Sequence, residues 1–159
     1  MEKANIEKIA ETVINFIKTD VNALLPDYED SGDGTSVTLP EIKKIVHGAV
    51  DVSRLEAPVV CSITVGKQTE YEESATTERV FDTELTVVFL CADAPYSSLV
   101  SRACRYASAF KEATAISPTF NGAFTGSGFG SLEIDYDAGS VGGQMTAGIV
   151  NLTVRADGL

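Results

Sequence analysis

Apolar residues recur every three or four positions through the first stretch of the chain. Ile6, Ile9, Val13, Phe16, Ile17, Val21 and Leu24 share one side, and Lys3, Glu7, Glu11, Lys18 and Asp20 take the other. That spacing predicts an amphipathic helix over residues 3–25, stopped by Pro26, which restricts the residue before it. A turn-rich acidic connection follows, with Asp27, Glu29, Asp30 and Asp33 among Gly32 and Gly34. Between residues 39 and 56 two readings stay open. Pro40-Glu41-Ile42-Lys43-Lys44-Ile45 fits either a short helix or the start of an extended segment reaching Val52.

From Pro58 the period drops to two. Val59, Cys61, Ile63 and Val65 alternate with Val60, Ser62 and Thr64, which predicts a strand ended by Gly66. A polar stretch, 67–77, leads into a second, long strand over 78–92. Its centre, 85–91, is apolar at successive positions, as in a central strand covered on both faces; its outer half, 79–84, is polar and is expected to project beyond the core. Ser97 and Ser98 are candidate caps for a helix in which Leu99, Ala103, Tyr106, Phe110 and Ala113 recur at intervals of four and three. Residues 117–130 read as a Gly-rich loop carrying Phe120, Phe124 and Phe129. Leu132, Ile134 and Tyr136 then alternate with acids in a third strand, and after a turn at 138–143 residues 145–154 return as a fourth.

The order helix, two strands, helix, hairpin predicts one α+β domain over residues 1–159. Its sheet is mainly antiparallel, of about four to five strands, with two principal helices packed on it. Leu85, Val87, Phe89, Leu99, Tyr106 and Phe110 are the expected core where the long strand meets the second helix.

Composition narrows the function. Twenty-three acidic residues against 12 basic give a formal charge of −11. A chain that grips nucleic acid needs cationic surface to displace counterions from phosphates, and this one offers the opposite field. The strongly apolar run at 85–92 is less than half of the ~20 residues that span a bilayer, so no membrane partner is expected. No basic segment followed by an apolar one opens the chain, which favours a soluble product made and kept inside the cell. Cys61, Cys91 and Cys104 are odd in number, lack C-x-x-C spacing and sit among apolar or small residues. Buried free thiols in a reducing compartment are expected rather than disulfides or a zinc site.

Candidate chemistry is sparse. His47 is the one histidine, without a nearby nucleophile or ligand cluster, and a solitary imidazole is poor support for acid–base catalysis. The acidic loop invites a calcium reading, but counting from Asp27 puts Thr38 where an EF-hand needs its glutamate. Gly126-Ser127-Gly128-Phe129-Gly130 precedes a strand instead of following one, so it is no dinucleotide loop. Glu70, Glu72 and Glu73 lie together in the polar connection with no partner that would split their pKa values, and they read as a solvated hairpin tip first and as an electrostatic contact with another protein second. No catalytic residue, cofactor or metal is assigned, and the chain is read as a non-enzyme.

The succession of segments resembles the tail terminator proteins of tailed bacteriophages, of the lambda type. It is carried by Pro58-Val59-Val60-Cys61-Ser62-Ile63, by Phe81-Asp82-Thr83-Glu84-Leu85-Thr86-Val87-Val88-Phe89-Leu90, by Ser98-Leu99-Val100, and by Tyr136-Asp137-Ala138-Gly139 leading to Ile149-Val150-Asn151-Leu152-Thr153-Val154. The resemblance implies a structural virion protein at the head-proximal end of a phage tail. It would form a homo-hexamer ring that caps the tail tube, ends polymerisation and meets a head-side connector or stopper protein, with DNA passing through unbound. Glu70, Glu72, Glu73 and Arg79 are then the candidate contacts to a neighbouring subunit or to the tail tube protein. Two other roles are carried beside it: another head–tail neck or tail-completion protein, and, from a different class, a small acidic binding module such as a DNA-mimic inhibitor.

Overall fold

In a computed structural model that describes residues 5–30, 35–51, 55, 57–70, 79–92, 94–139 and 144–158, the chain enters its first helix through Asn5. The Asn5 Oδ1 accepts from the Glu7 and Lys8 amides at 2.9 and 3.4 Å, satisfying donors that a helix start leaves unpaired. α1 (Ile6–Phe16) buries Ile9, Val13 and Phe16. It widens into a π-helical turn over Ile17–Val21 and continues as α2 (Asn22–Tyr28). Pro26 therefore does not stop the helix. Its fixed φ is itself helical, and the chain runs on until the Glu29 amide bonds the Pro26 carbonyl at 3.4 Å.

The ambiguous 39–56 region holds β1 (Lys44–His47), a strand. Its start is fixed from α2: the Asn22 amide donates to the Ile42 carbonyl at 3.0 Å and accepts from the Ile42 amide at 2.9 Å, as a neighbouring strand would. β1 pairs in parallel with β2 (Val59–Glu70), from Lys44 opposite Val60 to His47 opposite Ile63. β2 pairs antiparallel with β3 (Arg79–Cys91), and β3 with β5 (Thr146–Gly158). Gly66 does not end β2: a register shift between Val65 and Gln68 absorbs it, and pairing resumes to Glu70. β4 (Gly126–Asp135) closes the order β1-β2-β3-β5-β4. The 117–130 stretch is thus a loop only as far as residue 125. A second shift, between Phe129 and Ser131, falls at Gly130, where a Cβ would stand 2.8 Å from the Asn151 carbonyl oxygen.

Both helical layers lie on one face of this α+β sheet. α3 (Tyr96–Ile116) starts after Pro95 without a side-chain cap, so neither Ser97 nor Ser98 serves as one. It crosses β5 so closely that a Cβ on Gly148 would come within 2.5 Å of the Ala103 carbonyl oxygen. Leu85, Val87 and Phe89 of β3 meet Leu99, Tyr106 and Phe110 of α3 in one buried cluster that also takes in Val13 and Phe16. All six expected core residues are buried.

The opposite face differs from expectation. Thr86 and Val88 are only half-buried and Glu84 is exposed, so the central strand is not covered on both sides along its length. Val60, Leu90 and Ala147 are buried at one end of that face, where Ala49, Val50, Asp51 and Leu55 lie beside Val60. Elsewhere it has no helical layer among the described residues.

Candidate functional site

The end of β2 emerges from the core, but the outer half of β3 does not project as its polar sequence predicts: Thr83 is fully buried, Phe81 is half-buried, and their β5 partners Val154 and Ala156 belong to the buried cluster. Val59, Cys61 and Ile63 are buried, whereas Thr64, Gly66, Lys67, Thr69 and Glu70 are exposed. Gln68 holds the extension together by donating from its side-chain amide to the buried Thr83 hydroxyl at 3.0 Å. At the far end the Arg79 guanidinium grips Glu70 with two hydrogen bonds, Nε to Oε1 at 3.0 Å and Nη2 to Oε2 at 2.8 Å. It also lies 5.6 Å from the centre of the Phe81 ring, directly across from Glu70 in the ladder. The Arg79 hydrogen bonds hold the Glu70 carboxyl below its ordinary value. Glu70 and Arg79 are therefore brought together as one fork-to-fork pair; Glu72 and Glu73 lie outside the described residues.

A second pair of the same kind stands on the other face. Arg155 of β5 donates to Asp82 of β3 at 2.8 and 3.1 Å, beside a shallow cleft edged by Gly126 and Gly128. Sequence reading missed it. Asp82 and Arg155 are 73 positions apart, and only the β3–β5 register makes them direct partners.

The described part of the acidic connection packs on α3. Arg105 donates to the carbonyls of Tyr28 at 3.0 Å, Glu29 at 2.6 Å and Thr35 at 3.3 Å. Arg102 reaches the Thr38 carbonyl at 3.0 Å, and the Tyr106 hydroxyl the Pro40 carbonyl at 2.5 Å. Glu29 accepts from the Leu39 amide, and the Tyr28 hydroxyl donates to Glu112. Partial burial, reinforced by Glu112, raises the Tyr28 phenol from 10.0 to about 12. These contacts clasp residues 28–29 and 35–40 onto α3. The available signal was Arg102 and Arg105, two bases one turn apart on α3, in a chain whose preceding loop is acidic.

His47 is exposed at the end of β1. Among the described residues no three His, Cys, Asp or Glu side chains cluster as a metal would require. Cys61 and Cys91 are buried free thiols; burial pushes Cys91 up to about 12 and Cys61 up as well, while Cys104 is half-buried on α3. Glu70 with Arg79 and Asp82 with Arg155 form guanidinium–carboxylate forks at this end of the sheet, an arrangement that fixes the geometry of both partners. No protein-family model and no curated protein matches the chain.

Proposed function

We propose that this protein is a structural component of a phage tail. It caps the tail tube as a six-membered ring, ends tube polymerisation and offers the head-side connector a surface. The observation that carries this reading is the exposed end of β2, from Gly66 to Glu70, which finishes in the Glu70–Arg79 fork. Placed against a neighbour or the tube, such groups set register and exclude wrong contacts.

The net charge of −11 supports the same role, since an acidic wall around a channel repels phosphate and lets DNA slide through. The one-sided helical layer suits a building block, because it leaves strand edges and a sheet face for neighbours. The role asks for no catalytic group. The test is to delete the gene from its phage, complement with an epitope-tagged copy and locate the tag by electron microscopy. Overlong or headless tails without the gene, and six tags at the head-proximal end with it, are the expected results. A tag elsewhere on the particle, or normal particles without the gene, overturns the reading.

A further inference from the structure

We infer that copies of this chain join head to tail through their sheet edges, β4 of one copy pairing antiparallel with β1 of the next. The inference rests on the ring reading and assigns the surface that closes it.

The sheet has two unlike edges. Among the described residues no strand pairs with the outer side of β4 or of β1. An unpaired edge presents backbone donors and acceptors that another strand can satisfy. β4 is bent at Gly130, which leaves Ser131, Leu132, Glu133, Ile134 and Asp135 as its regular run. β1 is four residues long and so fits within that five-residue run.

Strand direction and faces then restrict the pairing. β1 is parallel to β2, and each later neighbour in the order reverses direction, so β4 runs opposite to β1. A neighbouring copy in the same orientation therefore offers β1 antiparallel to β4. On β4, Leu132 and Ile134 point to the helix side, opposite Val150 and Gly148; on β1, Ile45 does, beside Cys61. All three are only partly buried, and Phe129 and Tyr136 on the same margin are 50% and 56% exposed. Keeping Ile45 on that side allows it to face Ile134 or Leu132. The first register puts Lys44 opposite Asp135, and the second puts it opposite Glu133.

Both registers thus set an ammonium against a carboxylate on the helix-free face. Opposite charges across a strand pair are favourable, and like charges are not. Lys44 already makes a contact in its own chain, and its three donors allow a second. In a chain with 12 bases, the adjacent Lys43 and Lys44 at one edge, with Glu133 and Asp135 at the other, make the two edges complementary to each other and each repulsive to itself. Such a contact is heterologous, the kind that builds rings.

The experiment uses the full chain and sedimentation velocity up to millimolar concentration. Wild type is expected to self-associate. Lys44→Glu alone and Glu133→Lys with Asp135→Lys should each weaken association by about a hundredfold or more, because each sets like charges across the contact. Mixing the two variants in equal amounts should restore assembly, since every contact in an alternating ring is then complementary. Circular dichroism of each variant checks that it is folded. Charge variants that associate like wild type, a mixture that stays monomeric, or a wild-type chain that never associates would each overturn the edge pairing. None of these bears on where the protein sits in the particle, which the tagging experiment decides separately.

Discussion

Phe89 sits at the point where β3 meets α3, with ring centres of Tyr106 and Phe110 at 6.1 and 5.9 Å and none of its surface exposed. Phe89→Ala should cost about 3–5 kcal/mol, because two flanking aromatic rings and a helix anchored at Gly148 cannot collapse into the space left. A urea midpoint lowered accordingly in the variant is the expected measurement. An unchanged midpoint would mean that β3 and α3 do not meet there.

At the scale of elements, the clasp on α3 predicts a dependence on alkaline pH. The Tyr28 phenol is raised when folded, from 10.0 to about 12. Its contribution is therefore fully present below pH 10 and is lost as pH rises toward 12. Thermal melts should show Tyr28→Phe less stable than wild type at neutral pH, with the gap closing in that alkaline window. Ultraviolet titration should lose a late phenol step in the variant. The elements themselves were unequally legible. α3 and β3 could be read because their periods run for many residues, and all six of their predicted core side chains are buried. β1 could not, since its four residues are held by a parallel partner and its approach at Ile42 by Asn22, neither of them local in sequence. Pro26, Gly66 and Gly126 were read as breaks where the chain continues, for three reasons: a helical φ, a bulge that absorbs one residue, and pairing with β5. The Glu70–Arg79 end was legible as a charged tip, whereas the Asp82–Arg155 fork needed the register.

For the whole molecule, the charged end of β2 and β3 should matter to assembly more than to folding. Glu70 and Arg79 are exposed, and the buried cluster lies farther along the same strands. Changing Glu70, Glu72 and Glu73 together to Gln should leave the melting temperature nearly unchanged, as surface substitutions usually do. Tail completion in cells lacking the wild-type gene should fall. A full yield of infectious particles from this variant would remove these glutamates from any contact.

Apart from the Tyr28–Glu112 hydrogen bond, the grip of α3 on residues 28–29 and 35–40 falls on main-chain oxygens: Tyr28, Glu29, Thr35, Thr38 and Pro40 are all held by their carbonyls. A carbonyl is common to every residue, so what Arg102, Arg105 and Tyr106 recognise is a path of the chain and not its lettering. Thr35, Ser36 and Thr38 can accordingly be rewritten over generations without releasing the segment. The clasp leaves that stretch of surface free to drift toward whatever neighbour it faces.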